Sequence, residues 1–183
     1  MRGSVVVALL FAIACGGRAP VVRAPTARVK AEIAEAERAE RARRHDIARV
    51  HYERAIAIAM DPASAAHARR AFAETLATWG EVAEAAAQLE RAVTLVDRDA
   101  AAWHDLGIVR HKLDDLPGAI AALERARGLA PEDFRPRVAL AALRWKTGDR
   151  AGARVEYRGL LELELPERLR TKVKWALDQL AKP

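Results

Sequence analysis

Shifted against itself by 34 residues, the chain falls into register over most of its length beyond residue 65. Arg69, Trp103 and Arg137 align, as do Phe72, Leu106 and Leu140, then Ala73, Gly107 and Ala141. Further along come Ala85, Ala119 and Ala153, then Leu89, Leu123 and Tyr157, and finally Leu95, Leu129 and Leu163. A recurrence of this length is one supersecondary unit too small to bury its own apolar face, so copies must stack on one another. Between the halves of each copy stands a breaker, Gly80-Glu81, Asp114-Asp115 or Gly148-Asp149, of the kind that ends one helix and caps the next. Each copy therefore reads as a helical hairpin. The 51% hydrophobic content with only 5% aromatics agrees, because it is largely alanine, which favours helix and lets helices approach closely.

The middle copy carries Trp103-x-x-Leu106-Gly107, then Ala119, Leu123, Ala126 and Pro131. These residues and spacings resemble the tetratricopeptide repeat (TPR) consensus, with Arg110 standing where that family usually has Tyr. Gly107, Ala119 and Ala126 leave room for close helix crossings, while Trp103, Leu106 and Leu123 are large enough to fill the layers between, with Trp103 at the family's interior position. The copy at 66–99 keeps Phe72, Ala73, Ala85, Leu89 and Ala92 but has Asp97 where Pro is usual. The copy at 134–166 keeps Leu140, Ala141, Ala153 and Tyr157 and has Leu160 in place of the second small alanine. The fold so implied is all-α, a right-handed α-solenoid of antiparallel helix hairpins with three clear repeats at 66–99, 100–133 and 134–166.

Upstream, Ala48, Tyr52 and Ala55 echo a second repeat helix, and Asp61-Pro62 supplies an N-cap and first helical residue. Their offset to the next copy is 37, which places a three-residue irregularity near 59–64. A degenerate hairpin is thus expected at 29–62, its first helix carrying only Val29 and Ile33 as large apolar residues and packing weakly. After residue 166, Leu169, Val173, Ala176, Leu177 and Leu180 form one stripe opposite Arg170, Lys172 and Lys174, so 167–183 reads as a capping helix that shields the last apolar face.

The amino terminus has a different character. Met1 and Arg2 precede an uncharged apolar run from Val5 to Ala14, ending in Ala12-Ile13-Ala14-Cys15-Gly16-Gly17. Ten residues fall short of the roughly 20 that span a hydrocarbon core but fit the hydrophobic region of a signal peptide, here 1–14. Ala-x-Ala suits ordinary signal peptidase, and small residues directly before a Cys resemble a bacterial lipobox, with Ala12 where Leu is usual. Both enzymes would cut the same bond. Cys15 is the single cysteine, and Gly16, Gly17, Pro20 and Pro25 suggest a tether over 15–28, so lipidation of Cys15 is the favoured reading. Gly16 after that Cys points, by resemblance to bacterial lipoproteins, to the periplasmic face of the outer membrane.

The formal charge of +6 comes from Arg and Lys interleaved with acidic residues, as in Glu37/Arg41 and Glu40/Arg44, with no aromatic-flanked basic block, so nucleic acid is not an expected partner. The single cysteine excludes an internal disulfide framework and a Cys-based zinc site. His45, His51, His67, His104 and His111 are nowhere paired at i, i+4, and there is no phosphate-cradling Gly-rich loop. No catalytic site, metal, cofactor or small-molecule substrate is expected.

The resemblance implies instead a concave face lined by each repeat's first helix. It would present His67, Arg70, Glu74 and Thr78, then His104, Ile108, His111 and Lys112, then Arg135, Val138, Trp145 and Lys146, together a mildly basic groove for a protein or peptide partner. In peptide-clamping members of the family, Lys and Asn stand where this chain has His104 and Ile108, so an extended or helical segment of acidic character is the expected ligand. Trp145 has two readings, groove anchor or partly buried filler. Trp79 reads as packing, and Trp175, off its helix's apolar stripe, as a possible second contact. Small TPR lipoproteins of the outer membrane serve pilus, secretin, β-barrel or peptidoglycan assembly, and the expected role is an adaptor of that kind. The alternative is a soluble secreted or intracellular interaction module without a lipid anchor.

Overall fold

The computed structural model describes residues 23–182, and the expected leader, Cys15 and the first part of the expected tether lie outside that range. The described residues form helices α1 (Arg23–Arg41), α2 (His45–Ala57), α3 (Pro62–Trp79), α4 (Val82–Leu95), α5 (Ala100–Lys112), α6 (Leu116–Leu129), α7 (Phe134–Lys146), α8 (Arg150–Leu161) and α9 (Glu167–Ala181). Among them there is no strand, and no helix is long and apolar enough to cross a membrane.

The helix ends repeat as faithfully as the core does. Aspartates N-cap α3, α5, α6, α7 and α8, each accepting from backbone N–H groups in the first turn: Asp61 from Ser64, Asp99 from Ala101 and Ala102, Asp115 from Gly118, Asp133 from Arg135 and Asp149 from Gly152. Every hairpin turn holds one residue in the left-handed region: Arg43, Gly80, Asp114 and Gly148, with φ of 57°, 87°, 62° and 85°. That conformation turns the chain out of the first helix of each pair. Glycine adopts it without strain at two turns; Arg43 and Asp114 adopt it against their side chains.

Consecutive helices pack as antiparallel neighbours from α1 to α9. Phe72, Leu106 and Leu140 are all buried, as are Ala73, Gly107 and Ala141, and Ala85, Ala119 and Ala153. One continuous apolar cluster runs from Val29 to Ala122, and a smaller one joins Ala119, Leu123, Leu140 and Leu143. Helix α9 closes the stack with Val173, Ala176 and Leu180 buried. This is the TPR solenoid.

The irregularity near 59–64 takes a definite form, and three other expectations change. The irregularity lies within a helix and not in a link, because every link between one pair and the next from α2 to α7 is four residues long. The extra residues are absorbed as an added turn at the start of α3, which is 18 residues long against 13 for α5 and α7. Helix α1 begins at Arg23, inside the expected tether, where alanines favour helix and Pro25 falls in the first turn, the position that tolerates it. Nor does α1 pack loosely: it buries Val29, Ile33, Ala36 and Ala39, and alanine does there what larger residues do elsewhere. Trp103 is only half-buried. Its ring packs on the core, while its Nε1–H reaches out to donate to the Asp97 carbonyl at 2.8 Å, as a tryptophan near water does.

Candidate functional site

The backbones of the first helices of successive pairs approach one another, α1 with α3, α3 with α5 and α5 with α7, whereas those of α2 and α4, α4 and α6, and α6 and α8 stay apart, and long side chains such as Arg49 to Glu84 and Arg127 to Glu156 span the wider gaps. The stack therefore bends toward its first helices, and these line the inner face. Three depressions follow one another along that face. The first, about 320 Å³, lies between α1 and α3 and is lined by Glu37, Glu40, Tyr52, Ala71, Glu74, Thr75 and Thr78. The second, about 290 Å³, has walls of Glu74, Thr78, His104, Asp105, Ile108 and Lys112 over an apolar floor of Ala73, Ala77, Leu89 and Val109. The third, about 200 Å³, is formed by Ile108, His111, Leu123, Ala139, Ala142, Leu143 and Lys146. Glu74 and Thr78 are shared by the first two and Ile108 by the last two, so the depressions form one continuous trough.

The walls are held in place by contacts between equivalent regions of neighbouring pairs, 35 residues apart. Thr75 donates to Glu40 at 3.3 Å, the Arg70 Nε donates to Asp105 at 2.8 Å, and the Lys146 ammonium donates to His111 Nε2 at 3.2 Å. Behind the first depression Tyr52 stacks on Phe72 with ring centroids 5.1 Å apart, and its hydroxyl meets the Thr75 hydroxyl at 2.9 Å. Burial pushes the Tyr52 hydroxyl above its ordinary range, so it remains a neutral partner there. Arg70 also lies 3.1 Å from Glu74. Burial raises the Glu74 carboxyl, and the nearby Arg70 offsets this only in part. At Asp105 burial also opposes ionisation, but the His104 and Arg70 hydrogen bonds outweigh it and hold that carboxyl below its usual range.

The structure thus brings Glu74, Thr78, His104, Ile108, His111, Lys112 and Lys146 together along one trough, with Arg70 bracing it. His67 sits apart, with Val29, Lys30 and Asp61 in a separate depression at the α1–α3 edge. Arg135 is exposed and folds back on Asp133, the cap of its own helix. Val138 is half-buried and lines none of the three depressions. The indole of Trp145 is engaged edge-on by Tyr157 and tilted against Trp175, each at 6.2 Å, which ties α7 to α8 and α9 and makes it filler at that junction. Trp79 stacks on His45 at 4.5 Å, with the Arg49 guanidinium 5.8 Å from its ring.

Sequence reasoning missed Glu37, Glu40, Asp105, Ala139 and Ala142. A signal for Asp105 and Ala139 was present: they continue the column of Ala71 at the 34-residue spacing, and all three line the trough. The groove expected to be mildly basic is so at one end only, because α1 adds two carboxylates and Asp105 a third. Among the described residues no group of His, Cys, Asp or Glu could hold a metal ion.

No family model and no curated protein sequence matches the chain. Solved structures do. The fold is similar to that of MamA, with a TM-score of 0.65 and 21% identity over 73% of this chain and 77% of that one. It is similar to pilF of Pseudomonas aeruginosa, with a TM-score of 0.66 and 17% identity over 83% of this chain and 72% of that one. It is also similar to the Yersinia enterocolitica type III secretion chaperone SycD, solved with a peptide of the translocator YopD, with a TM-score of 0.58 and 20% identity over 61% of this chain and 88% of that one.

Proposed function

We propose that this chain is a non-enzymatic adaptor of the bacterial cell envelope that seats a segment of a partner polypeptide in the trough lined by α1, α3, α5 and α7. The observation that carries this reading is the continuity of the trough over four helix pairs, with apolar pockets on either side of Ile108 and charged rims. Such a surface offers buried anchor sites for side chains and polar groups to orient them, which is how grooves on rigid helical scaffolds hold peptides. The similarity to SycD, whose structure contains a bound peptide, supports the same use of the fold.

The leader Val5–Ala14 followed by Cys15 supports export and lipid anchoring at the periplasmic face of the outer membrane. Two or more acyl chains would confine the groove stably at that surface. Confinement raises the effective concentration of a membrane-borne partner without any added contact, so a modest groove affinity is enough. Pilus, secretin, β-barrel and peptidoglycan machineries all contain partners of this kind, and the choice among them belongs to the partner's identity.

The test is crosslinking and pull-down of the full chain from native membranes, alongside an Ile108→Glu variant that places a charge between the two apolar pockets. The expected result is loss of the captured partner with the melting temperature nearly unchanged; capture that ignores Ile108→Glu would overturn the groove reading. Mass analysis of the mature amino-terminal peptide checks the anchor. Acyl chains on Cys15 are expected, and a free Cys15 in a soluble fraction would favour the unanchored module.

A further inference from the structure

The three depressions differ in charge in a fixed order. The one between α1 and α3 is lined by Glu37, Glu40 and Glu74 with no cationic side chain in its wall. The middle one mixes Glu74 and Asp105 with His104 and Lys112. The one between α5 and α7 is lined by His111 and Lys146 with no carboxylate. Nearby cations do not cancel the acidic end: Arg41 approaches Glu37 only at 4.0 Å on the exposed side, and Arg70 is shared between Glu74 and Asp105. At the other end Lys146 and His111 are paired with each other rather than with an acid.

We propose, building on the groove reading above, that the trough selects a polypeptide segment of opposed terminal charge. Basic side chains lie over Glu37, Glu40 and Glu74, two apolar side chains fill the pockets flanking Ile108, and acidic side chains lie over His111 and Lys146. This refines the extended or helical segment of acidic character expected from the sequence. Complementary charge fixes register and orientation more than it adds affinity, and like charges placed face to face exclude the wrong partner. A uniformly acidic segment meets three carboxylates at the α1–α3 end, and a uniformly basic one meets Lys146 at the α5–α7 end. Neighbouring first helices lie roughly 8–10 Å apart, so the two charged ends are separated by about 16–20 Å. That distance corresponds to about five or six residues of extended chain.

Three synthetic peptides test the proposal against the full chain in detergent. One carries lysines at one end, glutamates at the other and leucines between; the others replace the glutamates by lysines or the lysines by glutamates. The mixed peptide is expected to bind about tenfold more tightly than either uniform one, and this advantage should vanish at about 1 M salt, where charges are screened beyond about 3 Å. A photo-crosslinker beside its lysines should label α1 or α3, and one beside its glutamates should label α7. Replacing Glu37, Glu40 and Glu74 together by Gln should abolish the preference over the uniformly acidic peptide. Equal binding of all three peptides, all lost in Ile108→Glu, would overturn the charge order and leave the groove standing. Labelling at the opposite ends, or no binding by any peptide, would also overturn the charge order. The groove reading itself falls only if the native partner's capture is indifferent to Ile108→Glu.

Discussion

Glu156 is the sharpest test of how this solenoid is held together. It is completely buried in α8, and its carboxylate accepts from Arg127 of α6, from Arg137 of α7 at 3.4 Å and from Arg144 of α7 at 3.2 Å. Equivalent positions make a related contact in the first clear repeat, where Arg69 donates to Gln88 at 2.8 Å, and are occupied by apolar residues, Trp103 and Ala122, in the second. Glu156→Ala leaves three guanidiniums facing a hole. Each retains some water, with side-chain exposures of 30%, 23% and 18%, and Arg144 keeps Glu124. The cost therefore belongs at the lower end of what breaking a buried ion pair costs, about 3 kcal/mol. At about 2–4 °C per kcal/mol for a chain of this size, the melting temperature by circular dichroism should fall by roughly 6–12 °C. Hydrogen exchange should show α6 to α8 losing protection before α2 to α4, because stability in a repeat stack is carried by nearest neighbours. Glu156→Gln keeps the shape and one acceptor and should cost less. If Glu156→Ala melted within about 2 °C of the parent, the arginine cluster would contribute no net stability and the reasoning would fail.

Gly107 faces Leu123 so closely that an added Cβ would lie 2.6 Å from its Cγ. Gly107→Trp should destabilise by at least the upper end of roughly 1–3 kcal/mol, and an unchanged melting temperature would refute the packing register. Asp105 is held below its ordinary range in the folded chain, so its ionised form contributes stability above the unfolded value, lost as pH falls through the folded one. Asp105→Asn should therefore lower the urea midpoint near neutral pH, and the difference from the parent should close in acid; a pH-independent difference would refute the linkage. Trp145→Ala should lower the melting temperature, because it removes the contact to Tyr157 and Trp175, while leaving peptide binding in the trough nearly unchanged. Loss of binding at unchanged stability would return Trp145 to the groove.

The hairpin repeat was legible in the sequence because its causes are local. Small residues at Ala73, Gly107 and Ala141, large ones at Phe72, Leu106 and Leu140, and turn residues at Gly80, Asp114 and Gly148 act within one helix pair and recur at one spacing. The extra three residues before the first clear repeat were countable, but only the packed structure decided that they extend α3 rather than bulge as a loop. The charge of the trough was likewise out of reach, since Glu37 and Glu40 come from the helix whose sequence least resembles a repeat and meet Glu74 only when α1 docks on α3. Glu156 reads in the sequence as one more acidic residue on a helix, and its burial depends on arginines 29, 19 and 12 residues away. Period and hairpin follow from neighbours along the chain; groove charge and buried ion cluster depend on which distant side chains the stacking brings face to face.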